Sequence, residues 1–238
     1  MSIDVPHIGH EHPDVTGGWL RPAVFGASDG LVSNLALIAG VAGGTQGDSS
    51  TAVVLAGFAG LAAGAFSMAV GEYTSVASQS EAAAHEINRE RREIIANPEA
   101  ETRELAAMYV DKGVDEHLAY EVARQIHLDV DKAVKVHARE ELGVDPHDLA
   151  SPMTAAVSSF LSFAVGAMVP VLPYLLGAGS LLPGLLVTLA ALFLCGAVVT
   201  QVTSRSWWYG GLRQTVLGAA AAGLTYLFGS LVGGAGIG

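Results

Sequence analysis

Long apolar stretches constrain the fold of this chain more than any other feature of its sequence. Five stretches are long enough to cross a lipid bilayer as helices, and they cover residues 21–43, 51–76, 152–176, 181–203 and 213–235. A helix needs about 20 apolar residues to cross the roughly 30 Å hydrocarbon core of a bilayer. We therefore predict an all-α membrane protein with five transmembrane helices in a lipid bilayer. The mean hydropathy of +0.44 agrees with this class.

Most of the charge lies in one segment between the second and third apolar stretches. Residues 77–150 hold 17 of the 23 acidic and nine of the 12 basic residues, a formal charge of −8. We predict a cytoplasmic helical metal-binding domain there. It follows a tail over 1–20 and two spans over 21–76, and it precedes three spans over 151–238. So acidic a segment argues against nucleic acid as a partner, because phosphate binding needs a basic surface.

Lys and Arg lie on only one side of the five predicted spans. Arg21 precedes the first span, Arg205 and Arg213 flank the loop between the last two, and the other basic residues lie in 77–150. Positively charged flanks stay in the cytoplasm, so the N-terminus and the charged domain are predicted to be cytoplasmic and the C-terminus outside. The first residues lack a signal-peptide pattern. We expect a bacterial inner membrane.

Turn and cap residues divide the charged segment into helices. Asn-Pro at 97–98 predicts the start of a second helix, which Gly113 closes. Asp115 and Asp129 are predicted to cap the third and fourth helices, and Gly143 ends the fourth. No breaking residues separate the second apolar stretch from the first of these helices. The sequence therefore predicts one long helix that leaves the membrane and enters the charged domain.

Two pairs of glycines have the spacing that permits close helix approach. They are Gly26-x-x-x-Gly30 in the first span and Gly60-x-x-x-Gly64 in the second. Either pair marks a tight helix contact or a dimer contact. The alternative is that small residues simply fill a glycine-rich bundle.

Carboxylates and one imidazole recur at helical spacing in the charged domain. The candidate metal ligands are Glu90, Glu93, Glu101, Glu104, His137 and Glu141. Oxygen ligands with some nitrogen suit Fe(II), Mn(II) or Zn(II) better than Cu(I), and the lone Cys195 offers no cysteine-based site. The alternative is a solvated acidic face on which Glu–Arg pairs contribute a few tenths of a kcal/mol each. The tail offers further imidazoles that bind metal or are only solvated, and these are His7, His10 and His12.

Two acidic residues lie inside the predicted spans, where charge is costly. An ionised carboxylate at bilayer depth costs roughly 2.5–3.5 kcal/mol, so it usually faces a cavity or a pathway. We predict that Asp29, Met68 and Glu72 line a translocation pathway. The alternatives are a structural buried acid for Asp29 and an interfacial residue reaching water for Glu72.

Three motifs resemble the vacuolar iron transporter family. They are GASDGLVSNLALIAGVAG in the first span, AGLAAGAFSMAVGEYTSVASQ in the second, and the charged segment that closes with EELGV. The resemblance runs from about Arg21 to the C-terminus. It implies a dimeric, proton-coupled exporter of cytosolic Fe(II), and often Mn(II), whose path is lined by the first two spans near the dimer axis.

The resemblance also implies roles for single residues. Asp29 and Met68 match pathway ligands of the family, and Glu72 falls on a glutamate one turn later. The glutamates of the charged domain match metal ligands of the family. One departure stands out, because His137 and Ala138 replace two adjacent methionines of the plant pattern. A nitrogen ligand in place of a thioether favours Mn(II) or Zn(II) more than in the plant proteins.

We therefore predict a transporter and not an enzyme. It is expected to form a homodimer, to exchange protons for Fe2+ or Mn2+, with Zn2+ and Co2+ as further candidate ions, and to hold no tightly bound cofactor. The alternative is a membrane-anchored iron-binding protein or di-iron oxidase. Di-iron bundles use Glu-x-x-His pairs on two helices, and this sequence has no such pair. A third alternative is a metal sensor whose membrane part is only an anchor. Asp29 argues against it, because an anchor has no reason to carry a costly buried acid.

Overall fold

The structure is a computed structural model that describes residues 18–45, 50–203 and 205–235, without the side chains of 201–203. Within these ranges every regular element is helical, which confirms the all-α prediction. The helices are α1 (Leu20–Gly44), α2 (Ser50–Ala96), α3 (Pro98–Asp111), α4 (Glu116–Ile126), α5 (Val130–Glu141), α6 (Pro152–Met168), α7 (Leu172–Leu175), α8 (Leu181–Thr203) and α9 (Trp207–Gly234). Four of them, α1, α2, α8 and α9, are long and apolar enough to cross a membrane.

The third apolar stretch differs from its prediction. A continuous helix over 152–176 is wrong, because α6 ends at Met168 and the short α7 begins only at Leu172. Pro170 lies in the turn between them, and proline both lacks a backbone N–H and clashes with the carbonyl four residues earlier. The apolar composition of this stretch hides the interruption. As a result α6 has only 17 residues and is shorter than each of the four helices that are long enough to cross a membrane.

Helix α2 is one unbroken helix of 47 residues, as the sequence predicts. At 1.5 Å per residue it is about 70 Å long, more than twice the hydrocarbon thickness of a bilayer. Up to position 76 it carries one charged residue, Glu72, whereas residues 77–96 carry seven. The charged half of α2, residues 77–96, therefore lies outside the membrane-spanning part of the helix.

The chain forms two compact units. The apolar unit comprises the residues up to Glu72 and those from Met153 onward, and the charged unit is Tyr73–Pro152. In the apolar unit, α1 is central and packs closely on α6, α8 and α9. A side chain at Gly30 would collide with the backbone of Phe163 in α6. The first glycine pair therefore makes a tight helix contact within the chain.

The predicted caps position the helices of the charged unit. The Asp115 carboxylate accepts hydrogen bonds from two backbone N–H groups of α4, and Asp129 does the same for α5. Gly113 has a φ of +92°, which glycine adopts without strain. Asn97 occupies the cap position of α3 but its side chain makes no capping hydrogen bond. The first turn of α3 instead relies on Pro98, whose missing N–H needs no partner there.

Candidate metal-binding sites

A buried cluster of ligand side chains lies inside the charged unit. Glu90 from α2, Glu101 from α3 and His137 from α5 present ligand atoms that lie within 4.8 Å of one another. His137 has no exposed surface, and Glu90 and Glu101 are only 6% and 9% exposed. Atoms that bind one ion through bonds of about 2.1 Å lie at most about 4.2 Å apart. A small contraction would therefore place all three side chains on one ion.

The apolar pattern of the helices explains why these polar groups face inward. Ile94 of α2 packs with Ala133 and Val134 of α5 in a buried apolar cluster. Glu90 lies one turn before Ile94, and His137 lies about one turn after that buried pair, so each shares the buried face of its helix. The same packing that buries the apolar residues thus buries the two ligands.

The electrostatics of the cluster favour a cation. Burial, together with the charges of Glu141 and Glu101 among others, raises the pKa of Glu90 to about 7. Burial and the neighbouring Glu104 also raise the pKa of Glu101. In the described part of the chain neither Glu90 nor Glu101 pairs with a Lys or Arg. A divalent ion would supply the positive charge that these carboxylates lack.

One carboxylate oxygen in the cluster has no hydrogen bond. Oε1 of Glu90 lies 3.0 Å from Nδ1 of His137 but forms no hydrogen bond with any described residue. The nearer partner of Nδ1 is Oε1 of Glu141, at 2.5 Å. A buried acceptor without a donor is unfavourable in an apolar interior, and it suits a metal ligand.

The second nitrogen of His137 faces another imidazole. Its Nε2 lies 3.3 Å from Nε2 of His127, which follows the last residue of α4. Nδ1 of His127 lies 2.9 Å from the carbonyl oxygen of Ala123, which can only accept, so this nitrogen carries a proton. Burial lowers the pKa of His127 and favours its neutral form. Nε2 of His127 then accepts a hydrogen bond from Nε2 of His137, and a metal ion in the cluster would replace the hydrogen bond between Nδ1 of His137 and Oε1 of Glu141.

The other predicted ligands divide into two groups. Glu141 reaches the cluster through its contact with His137, whereas Glu93 and Glu104 do not belong to it. Glu93 pairs with Arg89 at 3.8 Å, and Glu104 is exposed. The solvated-face interpretation therefore describes these two residues. The predicted tail ligands lie outside the described residues, and they are His7, His10 and His12.

A second candidate site is a cavity of about 250 Å³ in the apolar unit. Asp29 of α1 and Met68 of α2 both line it, and the Ser33 hydroxyl donates to Oδ1 of Asp29 at 2.7 Å. Asn34 lines the same cavity. Glu72 lies one turn beyond Met68 on α2 and is not among the described residues that form this cavity. A carboxylate, neutral oxygens and one thioether are all groups that can coordinate a divalent metal ion.

Sequence comparisons relate the chain to known proteins. A model of the VIT family matches residues 20–230. A vacuolar iron transporter of Acanthamoeba castellanii is 39% identical over 91% of this chain and 80% of its own length. Vacuolar iron transporter 1 of Oryza sativa subsp. japonica is 30% identical over 92% of this chain and 89% of its own. Vacuolar iron transporter 1 of Arabidopsis thaliana is also 30% identical, over 94% of this chain and 90% of its own.

Proposed function

This chain belongs to the VIT family, and from that premise we propose that it exports divalent metal ions from the cytoplasm in exchange for protons. The names of its relatives support iron as the cargo. Fe2+ and Mn2+ are the proposed main cargoes, followed by Zn2+ and Co2+. The observation that carries the proposal is the cavity in which Asp29 and Met68 of two apolar helices meet.

Asp29 provides the proposed coupling between metal and proton. Its carboxylate lies within an apolar helix, where an uncompensated charge is unfavourable, and Ser33 supplies one hydrogen bond. A divalent cation or a proton would each neutralise it. Because the carboxylate cannot hold both equally well, protonation from the outer side would release a bound metal ion. The competition at Asp29 would therefore exchange protons for metal.

The cluster of Glu90, Glu101 and His137 is proposed to collect the cargo. Its ligands are two carboxylates and one imidazole, which suit Fe2+, Mn2+ and Zn2+. Since the pKa of Glu90 is about 7, binding a metal ion near neutral pH requires this group to give up a proton. Capture would then weaken as the cytoplasm acidifies.

We further propose five membrane crossings, with α6 and α7 together forming the third. If this segment did not cross, Arg205 and the basic residues of the charged unit would lie on opposite sides of the membrane. Five crossings keep all of them in the cytoplasm, as positively charged flanks require, and place the C-terminus outside.

We also propose that two copies of this chain form a homodimer. The bacterial inner membrane stays a prediction, since the relatives described above come from an amoeba and from plants.

Transport by purified protein in liposomes tests the proposal. Fe2+ under reducing, oxygen-free conditions and Mn2+ would be followed separately across an imposed pH gradient. We expect Asp29→Ala to slow both ions at least about tenfold, the scale of losing a metal's supporting group. Glu116→Ala removes an exposed acid of α4 and should transport like the wild type. Wild-type rates in Asp29→Ala would contradict the pathway assignment. Stoichiometric iron oxidation on adding oxygen, without transport, would favour the oxidase alternative.

A further inference from the structure

Asn34 is the most deeply buried polar residue of the cavity that contains Asp29. It lies on α1 and is only 2% exposed. Its Nδ2 donates to the carbonyl oxygens of Gly57 in α2, at 3.1 Å, and of Ala167 in α6, at 2.6 Å. Ala167 lies in the last turn of α6, where backbone carbonyls lack helical partners. One amide group therefore joins three helices of the apolar unit.

These two hydrogen bonds also fix which way the amide points. Both partners are carbonyls and can only accept, so the nitrogen must face them and Oδ1 must face away. Oδ1 receives no hydrogen bond from any described residue. A methyl group placed at Gly60 would lie 2.6 Å from this oxygen, and Gly60 lines the cavity together with Asn34 and Asp29. The oxygen is thus held on the glycine side of the cavity.

A purely structural role for Asn34 does not explain why its Oδ1 is buried without a hydrogen bond. Joining the helices uses only the nitrogen, whereas the buried oxygen remains an acceptor without a donor. A metal ion satisfies such an oxygen, and neutral amide oxygens are common ligands for hard divalent cations. Because both amide hydrogens are already engaged, the oxygen would need no reorientation when an ion arrives.

We propose that Oδ1 of Asn34 is a metal ligand in the translocation cavity and shifts its selectivity toward harder ions. The inference rests on the proposed transport function. With Asn34 the cavity offers a carboxylate and an amide oxygen against one thioether, Met68. Without Asn34 the sulfur contributes a larger share of the ligand set, which favours softer ions. Asn34 therefore raises the rate for Mn2+ relative to Zn2+.

The test compares Mn2+ and Zn2+ transport by the whole protein in liposomes. We expect Asn34→Leu to lower the ratio of the Mn2+ rate to the Zn2+ rate about tenfold. Gly60→Ala provides a second variant, because its methyl group would crowd Oδ1, 2.6 Å away, and the Leu37 side chain, which is closer still, while the Asn34 side chain itself is retained. It should lower the ratio in the same direction. Gly71→Ala is the matched control, since a methyl group there meets nothing within 4 Å.

The outcomes separate this inference from the function on which it rests. Equal slowing of both ions by Asn34→Leu and Gly60→Ala, or no change in either variant, overturns the ligand role and leaves Asn34 as a helix contact. Wild-type vesicles that move neither ion faster than empty vesicles overturn the proposed function itself. A lower ratio in Gly60→Ala alone supports the ligand role even where Asn34→Leu fails to fold.

Discussion

His137 and His127 face each other through their Nε2 atoms, 3.3 Å apart, with the two rings nearly perpendicular at 88°. His127 is held in turn by the carbonyl of Ala123. The chain of hydrogen bonds runs from a backbone carbonyl through two imidazoles toward the carboxylates of the cluster. His127 thereby occupies Nε2 of His137 and leaves Nδ1 as the nitrogen that faces the carboxylates of Glu90 and Glu141.

Replacing His127 should weaken metal binding by the charged unit. His127→Phe keeps an aromatic ring but removes the acceptor for Nε2 of His137, so we expect the Kd for Co2+ to rise about tenfold. The ligand-field absorption of bound Co2+ should change as well, because the orientation of His137 is no longer fixed. His127→Gln retains an acceptor and should recover part of the affinity. Both quantities can be measured by titrating the purified protein.

The control for this measurement is His117→Phe, which changes an exposed histidine on α4. It should leave the affinity and the absorption spectrum unchanged. If His127→Phe bound Co2+ as the wild type does, with the same spectrum, His127 would have no role in orienting His137.

Glu90 should make the metal-free charged unit less stable at high pH. Its pKa is about 7 in the folded protein against 4.5 when unfolded, so folding favours the protonated form. The stabilisation is complete below pH 4.5 and is lost as the pH rises through 7. At about 1.4 kcal/mol per unit, the change between pH 5 and pH 8 is roughly 2–3 kcal/mol. Glu90→Gln should remove this dependence.

Hydrogen exchange in α3 to α5, measured with a chelator present, would report this effect locally. Glu90→Gln should protect these helices about as well as the wild type at pH 5 and better at pH 8. Glu81→Gln, which changes an exposed acid of α2, should follow the wild type at both values. Adding Mn2+ at pH 8 should restore protection in the wild type. A wild-type protein equally protected at both pH values, after correction for intrinsic exchange, would contradict the assigned pKa.

Local sequence signals predict the helices of the charged unit well but predict its site only in part. Asp115 and Asp129 mark helix starts because a cap depends on residues a few positions apart. The contact between His127 and His137 depends on how α4 packs on α5, and no local spacing encodes it. The sequence does not distinguish Glu90 from Glu104 either, because both lie among other charged residues of a helix. Only the packing of the helices buries Glu90 and leaves Glu104 exposed.

The apolar unit shows the same division. Hydropathy predicts the long helices correctly. It also predicts one uninterrupted helix over the third apolar stretch, because Pro170 is surrounded by apolar residues. Asn34 is equally hard to recognise from sequence, since a single polar residue in an apolar helix has no pattern of its own. Its significance comes from the carbonyls of two other helices, which only the folded chain brings to it.

The two helix starts in the charged unit should respond differently to alanine. Asp115→Ala removes a carboxylate that accepts from the backbone N–H groups of His117 and Leu118, and should cost about 1 kcal/mol. Asn97→Ala removes a side chain without a capping hydrogen bond and should change the stability much less. Protection of α4 and α3 against hydrogen exchange measures each effect. Equal losses in the two variants would show that the capping bond of Asp115 contributes nothing.

Gly30 should be intolerant of even one methyl group, unlike a glycine of the same unit that faces open space. A Cβ at Gly30 would meet the backbone of Phe163 and lie 2.8 Å from the backbone nitrogen of Ala167, neither of which can move without shifting α6. We expect Gly30→Ala to lower the melting temperature of the purified protein and, by displacing Ala167, to weaken the hydrogen bond from Asn34. Gly71→Ala, with nothing within 4 Å, should not lower it. If both variants melted like the wild type, α1 and α6 would not pack as closely as this contact requires.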